Sequence, residues 1–261
     1  MYNSMQSMQI TFMALLLAHL LGDFPLQPEW IAKSKGTNLR ALVLHGAAHF
    51  VLAWACLLVF AQVNWLSISS QGVILGYAAV HLLIDKLKHR MTQRKLVPDN
   101  WITFVLDQLL HLIVLAITAV ILTGTHFGEL MPALQLSASA KARILEVSIV
   151  YVAVLFGGGY LIRYLTKGLA KGVGAESRTQ LGNAGLYVGW IERFLIVTAI
   201  AMQSPVLVGL ILTGKSIARF PEFKEAKFAE YFLIGTMLSV SLSVLGGIAL
   251  LHLLYGTVSL K

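Results

Sequence analysis

The sequence predicts an all-α integral membrane protein with about eight transmembrane helices. Hydrophobic residues make up 57% of the chain and charged residues only 12%, whereas roughly a quarter of the residues of soluble domains are charged. Long stretches without Asp, Glu, Lys or Arg have the length of about 20 residues that a helix needs to cross the hydrocarbon core. This composition excludes a disordered chain. In a membrane protein, basic residues are concentrated in cytoplasmic loops, where they determine orientation. The net charge of +8 is explained in this way, so no nucleic-acid partner is expected.

Four spans are predicted in the first half of the chain. Span one extends from Met1 to Gly22 and is interpreted as a retained helix, because it lacks the basic start and the cleavage site of a signal peptide. The uncharged stretch from Ala41 to Ile84 is interrupted by polar residues at 62–72 and therefore predicts spans two and three. Span four extends from about Trp101 to Thr123.

The second half predicts four further spans. Span five lies near Ile144 to Leu165, around three consecutive glycines that weaken or kink the helix. Residues 186–216 are compatible with one span or with two short helices that break before Pro205, and the two-helix hairpin is preferred. Residues 166–183 are predicted to form a cytoplasmic connector, and the last span extends from about Tyr231 to Tyr255.

Basic residues predict the orientation, because they stay mainly on the cytoplasmic side of short loops. They follow spans one, three, five and seven, whereas the loop at 124–139 carries only the acidic Glu129. An eight-span chain with both termini outside satisfies every loop. We therefore expect a protein of the bacterial inner membrane.

Eight ionisable side chains lie inside spans one to four, in pairs four residues apart. Such groups are costly in a membrane and mark functional sites, and the i, i+4 spacing places both members of a pair on one face of a helix. The pairs are His19 with Asp23, His45 with His49, His81 with Asp85, and Asp107 with His111.

The four pairs repeat at an interval of 62 residues. This shift carries all four positions of spans three and four onto those of spans one and two, and HLLID repeats HLLGD. We infer a duplicated two-helix hairpin, about residues 10–61 and 72–123, whose copies run parallel. The predicted domains are a metal-binding four-helix bundle at 1–125 and a second bundle with cytoplasmic basic loops at 126–261.

The predicted orientation places the eight side chains in the cytoplasmic half of the membrane, in two layers one helical turn apart. Five imidazoles and three carboxylates suit a divalent metal. Two ions between the layers are expected, with zinc preferred and iron or manganese as alternatives. Some of the eight could instead orient the ligands. A metal-free hydrogen-bonded network and a bis-histidine haem are the other interpretations.

A second charged set lies in the second half of the chain. One interpretation is an anion pocket for a phosphate or a lipid head group. The other is internal ion pairing. The residues are Glu192, Arg193, Lys215, Arg219 and Glu230.

The first half also carries an HLxGDFxLQ pattern, formed by His19, Leu20, Gly22, Asp23, Phe24, Leu26 and Gln27. Together with HGAAH, HLLIDKLK and LDQLLH, it resembles an uncharacterised family of bacterial polytopic membrane proteins, domain of unknown function 3307. The resemblance implies no activity. The pattern is also loosely similar to that of membrane-bound metal-dependent hydrolases, although their HRxxTH-type motif is absent.

The function that the sequence favours is a membrane-embedded metal-dependent hydrolase, acting on a lipid-like ester or phosphoester at the cytoplasmic leaflet. The nucleophile would be a metal-activated water, with Asp85 and Asp107 as candidate catalytic carboxylates and a membrane lipid as partner. A di-iron oxidoreductase is the second hypothesis. A metal transporter, a sensor or a protein with a structural metal is the third. A homo-oligomer is compatible with each of them.

Overall fold

The computed structural model describes residues 4–61, 64, 66–125, 140–170 and 184–256. Within these residues every regular element is helical, which confirms the all-α prediction. Most of the loop predicted around Glu129, and the predicted connector beyond residue 170, lie outside the described residues. The helices are α1 (Ser4–Asp23), α2 (Glu29–Ser34), α3 (Leu39–Phe60), α4 (Ile68–Gln93), α5 (Trp101–Thr123), α6 (Ala140–Val152), α7 (Gly158–Leu165), α8 (Lys167–Ala170), α9 (Ala184–Ala201), α10 (Val206–Ala218) and α11 (Ala226–Tyr255).

Five helical segments of the described chain are long and apolar enough to cross a membrane: α3, α4, α5, the continuous helix Ala140–Leu165 and α11. At most 33% of the apolar window of each is buried inside the protein. A helix that is apolar but not covered by protein is suited to lipid. The count of eight spans and the orientation stay predictions.

The chain divides into two compact units, Met1–Ile149 and Val150–Lys261. In the first unit, α1 packs against α3 and α5, and α4 packs against the same two helices. The four helices therefore form a closed ring around a common interior.

Proline determines how α1 ends. Pro25 lies two residues after Asp23, and proline disfavours helical backbone in the residue before it, here Phe24. Helix α1 therefore ends at Asp23, and the chain turns into the short helix α2, which packs on α3. No proline follows Asp85 before Pro98, and α4 continues two turns further, to Gln93.

Helices α3 and α5 begin in the same way. The side chain of Asn38 accepts hydrogen bonds from the backbone N–H groups of Arg40 and Ala41, and the side chain of Asn100 accepts one from Thr103. Each bond satisfies an N–H group that has no partner within its own helix.

In the second unit, α9 packs against α10 and α11. Helices α9 and α10 are separated by a turn at 202–205, in which Gln203 adopts a φ of 57°. Residues 186–216 therefore form two helices rather than one. A π-helical turn, Ala153–Gly157, joins α6 to α7 just before the predicted glycine kink.

Candidate metal centre

All eight predicted ligands lie in the interior of the four-helix ring. We call them the eight-residue cluster. The most exposed member, Asp85, is only 9% exposed, and His49 and His81 are fully buried. The i, i+4 pairs thus place their side chains inward, as expected for residues on one helix face.

Four members of the cluster bring one ligand atom each within 4.8 Å of the others: Asp23, His45, His49 and His81. Asp23 Oδ1 lies 3.2 Å from His49 Nε2 and 3.3 Å from His45 Nε2. His81 Nε2 lies 3.5 Å from the same oxygen and 3.0 Å from His45 Nε2. Ligands of a tetrahedral zinc ion, at bond lengths near 2.0–2.1 Å, are roughly 3.3 Å apart. Four of the six distances among these atoms, from 3.0 to 3.5 Å, are close to this value.

Hydrogen bonds at Nδ1 orient two histidines, and the one at His111 favours its Nε2 atom as the metal-binding nitrogen. His111 Nδ1 lies 2.8 Å from the backbone oxygen of Asp107 and donates to it, because a carbonyl only accepts. His49 Nδ1 lies 3.2 Å from the hydroxyl of Tyr77, which is 3% exposed. A proton on Nδ1 leaves the lone pair on Nε2, which is how protein partners orient metal-bound histidines.

A second group consists of His81, Asp85 and His111, again with ligand atoms within 4.8 Å of one another. His111 Nε2 is buried and has no hydrogen-bond partner among the described residues. The same holds for His81 Nδ1 and Asp107 Oδ1. A buried polar atom without a partner is costly, so these atoms fit a divalent metal, which would be their partner.

The two remaining members lie at the side of these groups. His19 Nε2 is 3.7 Å from Asp23 Oδ2 and 3.4 Å from Gln108 Oε1. The amide nitrogen of Gln108 lies 3.2 Å from Asp107 Oδ2. Gln108 thus contacts both His19 and Asp107 and links these two members of the cluster.

Two lysines, which we call the lysine pair, bind carboxylates of the cluster. Lys35 Nζ lies 2.6 Å from Asp85 Oδ2 and 3.9 Å from Asp23 Oδ1. Lys88 Nζ lies 2.8 Å from Asp107 Oδ2. Burial lowers the pKa of Lys35, but the neighbouring carboxylates of Asp23 and Asp85 outweigh this effect and raise it above its ordinary value. Lys35 is therefore an ammonium ion.

Gln27 connects Lys35 to the cluster. Its side-chain amide lies 3.1 Å from His45 Nδ1. When the amide group is rotated by 180°, its oxygen and nitrogen both have hydrogen-bond partners. The oxygen then accepts hydrogen bonds from His45 Nδ1 and Lys35 Nζ, and the nitrogen donates one to the backbone oxygen of Asp23. A proton on His45 Nδ1 leaves the lone pair on Nε2, and this nitrogen lies 3.1 Å from Lys35 Nζ.

Gly22 allows His49 to reach Asp23. A Cβ atom at Gly22 would lie 2.7 Å from His49 Cε1 and 2.8 Å from His49 Nε2, closer than carbon atoms pack. The glycine in HLLGD therefore makes room for the imidazole ring. Ile84 stands at the equivalent position 62 residues later.

Sequence reasoning did not single out Tyr77, Lys35 or Lys88. Tyr77 and Lys88 carry a signal, because they lie four residues before His81 and three after Asp85 on α4. Lys35 carries none. It reaches the cluster from the end of α2, where helical periodicity gives no guidance.

In the second unit, the structure brings Glu192 and Lys215 together in an ion pair. The guanidinium group of Arg193 instead donates two hydrogen bonds to the backbone oxygen of Leu155 in the π-helical turn, at 2.6 and 3.1 Å. Arg219 ends α10, and Glu230 lies exposed on α11. The anion pocket stays a prediction, and Arg193 and Lys215 already have partners in the protein.

Comparison with known proteins places the cluster in a family. Residues 11–137 match the family model described as a protein of unknown function, DUF3307. All eight members of the cluster lie inside this segment. No curated protein and no solved structure matches the chain. The resemblance predicted from the HLxGDFxLQ pattern is therefore confirmed: residues 11–137 of the chain match the DUF3307 family model.

Proposed function

We propose that the protein is a membrane-embedded metal-dependent hydrolase, with two divalent ions held by the eight-residue cluster. The observation that carries the proposal is the convergence of Asp23 Oδ1 and three imidazole Nε2 atoms in a buried position, where four of their six mutual distances are 3.0 to 3.5 Å. The second ion would use Asp85 and His111, whose ligand atoms lie within 4.8 Å of one another and of His81. A neutral imidazole binds one metal ion through one nitrogen, so His81 would serve only one of the two ions.

Hydrolysis fits the donor set and its surroundings. Divalent ions at such a site lower the pKa of a water ligand and polarise an ester or phosphoester. In the protein, Asp107 has a buried carboxylate oxygen without a partner among the described residues and would accept a proton during the reaction. The ring lies among apolar helices, so the substrate would be a lipid or lipid-like molecule.

The proposed architecture is a duplicated two-helix hairpin. The repeat interval of 62 residues carries α3, Leu39–Phe60, onto residues 101–122 of α5. It also carries the capping residue Asn38 onto Asn100, and Ala41, whose N–H group Asn38 binds, onto Thr103. This match between helix ends extends the repeat beyond the four ionisable pairs and supports duplication.

The proposed topology has eight spans with both termini outside, in the bacterial inner membrane. The cluster lies where α1 ends and where α3 and α5 begin, next to the basic residues that follow α1 and α4. Basic residues favour the cytoplasmic side. The metal centre would therefore lie in the cytoplasmic half and act on the cytoplasmic leaflet.

Metal content tests the proposal. The protein is purified in mild detergent, and zinc, iron and manganese per chain are measured by mass spectrometry. We expect two ions in the wild type, and the loss of one in His49→Ala and of one in His111→Ala. His252→Ala removes an exposed histidine of the second unit and should retain both ions.

Activity is then tested with lipid esters and phosphoesters. Chelation should abolish hydrolysis, and the metal identified in the first measurement should restore it. Metal content equal to the wild type in both ligand variants would contradict the metal centre. A metal-loaded protein that binds these lipids without cleaving them would contradict the hydrolase. Coupled iron with a characteristic absorption band would favour the oxidoreductase instead.

A further inference from the structure

Lys35 and Lys88 lie between the cluster and the surface. Their side chains are 19% and 27% exposed, whereas those of the carboxylates that they bind, Asp85 and Asp107, are 8% and 5% exposed. Both lysines lie at the same end of the ring, next to the end of α1 and the start of α5. A molecule that reaches the cluster from this end meets two ammonium groups first.

The net charge of the cluster and the lysine pair indicates that a metal-loaded centre would attract an anion. Three carboxylates, Asp23, Asp85 and Asp107, and the two ammonium groups together carry one net negative charge when the histidines are neutral. One divalent ion changes this to one net positive charge, and two ions change it to three. An uncompensated charge is costly in a buried, low-dielectric site. An anion would thus stabilise the metal-loaded centre.

The lysines are also in position to bind that anion. Lys35 shares Asp85 Oδ2 with His45 and His81, whose Nε2 atoms lie 3.2 and 3.6 Å from this oxygen. A metal ion on Asp85 would compete with Lys35 for the same oxygen. An ammonium group has three N–H donors, and the one released from Asp85 could then bind the anion.

We propose that the lysine pair binds an anionic head group, and that the substrate of the centre is a phosphate-bearing amphiphile. This inference rests on the proposed metal centre and extends it by naming the charged part of the substrate. It assigns anion binding to Lys35 and Lys88, which contact carboxylates of the cluster itself, instead of Arg193 and Lys215 of α9 and α10. The shared chemistry is a phosphate group, from a lipid head group or from free phosphate.

The test uses the full-length protein in phosphate-free buffer, loaded with cobalt(II). Cobalt per chain is measured first, and orthophosphate binding is then followed through the visible absorption of cobalt and by equilibrium dialysis. The variants are Lys35→Gln, Lys88→Gln and the double variant. Lys33→Gln is the matched control. Lys33 lies two residues before Lys35 on the exposed side of α2, and among the described residues its ion-pair partner is the exposed Glu29.

We expect phosphate affinity to fall by about tenfold or more in the double variant, as for the loss of charge-assisted hydrogen bonds. Cobalt should bind at least as tightly as in the wild type, because a competing cation has been removed. The control should match the wild type. Lys35→Arg, which keeps the charge, should retain most of the phosphate affinity.

The outcomes are distinguishable. Unchanged phosphate affinity in a cobalt-loaded double variant would overturn the inference alone. Loss of cobalt from the double variant would also overturn it, since the lysines would then serve to hold the metal. A wild-type protein that binds no cobalt would overturn the metal centre and this inference together.

The source of the phosphate group is resolved in nanodiscs. A phosphatidic acid that displaces orthophosphate from the cobalt-loaded wild type, where a neutral diacylglycerol does not, would identify a lipid head group. Displacement by neither lipid, with orthophosphate still bound in a lysine-dependent manner, would assign the anion site to free phosphate and overturn the amphiphilic substrate.

Discussion

Gly22 shows how closely a single residue controls the proposed centre. The His49 ring lies where any side chain at position 22 would begin, and its Nε2 atom lies 3.2 Å from Asp23 Oδ1. On its other side, the ring is held by the Tyr77 hydroxyl. The backbone at Gly22 and the hydrogen bond to Tyr77 therefore position the His49 ring, although neither residue is a candidate ligand.

Replacement of Gly22 by alanine should weaken metal binding without removing a ligand. The new methyl group would lie 2.7 Å from His49 Cε1, so the ring must move by several tenths of an ångström. Metal sites lose roughly 10- to 100-fold in affinity when the residues that position a ligand are disturbed. The change is measured by competition with a chelator of known affinity.

Gly76→Ala is the control for this substitution. Gly76 also lies in a helix of the ring, but no atom lies within 4 Å of a Cβ at this position. Its metal affinity should equal that of the wild type. If Gly22→Ala bound metal as tightly as Gly76→Ala, the close approach of α1 to His49 would have no role in the centre.

At the scale of elements, Asn38 and Asn100 fix where α3 and α5 begin. His45 lies seven residues after the first cap and Asp107 seven residues after the second. The position of each helix start thus determines where along the axis of the ring its two cluster residues lie. The caps link a local sequence feature to the geometry of the centre.

Asn38→Ala and Asn100→Ala should each lower the free energy of unfolding by about 1 kcal/mol, because each leaves N–H groups of the first turn without a partner. The loss is measured by denaturant titration in detergent micelles. Asn38→Ser and Asn100→Ser should retain most of the stability, since serine also caps helices well. Equal losses with alanine and serine would show that capping is not what these residues contribute.

The helical elements carry most of what the sequence could predict about the centre. The i, i+4 pairs identified the buried residues because helical periodicity converts spacing into a shared face. Gln108 and Tyr77 follow the same periodicity but resemble ordinary polar and core residues. Lys35 was beyond sequence reasoning, because the path of the chain after Pro25 is set by packing of α2 on α3, which no periodicity describes.

At the scale of the whole molecule, the predicted orientation determines which side of the membrane the centre serves. The break between α9 and α10 was predicted, because Pro205 has no N–H group to continue a helix. The number of spans depends on how short helices such as α10, with 13 residues, sit in the bilayer. Length alone does not settle this.

Reporter fusions test the orientation. Alkaline phosphatase needs disulfide bonds and is active only outside the cytoplasm. Fused after Val97, in the basic loop that follows α4, it should be inactive, and fused after Thr125, at the end of α5, it should be active. A fluorescent protein that folds only in the cytoplasm should give the opposite result at both positions. The reverse pattern would place the centre toward the outer leaflet.

The end of α1 before Pro25 also affects how the two lysines are held. Lys88 is carried by α4, which packs against α3 and α5, whereas Lys35 follows the six-residue helix α2, in which Ile31 is the buried residue. Burial of one such side chain contributes roughly 1.5 to 3 kcal/mol. One side of the proposed entrance is thus anchored by a long packed helix and the other by a short helix with a single buried side chain. Local opening is easiest where few apolar side chains are buried, so we expect the α2 side to admit the larger head groups.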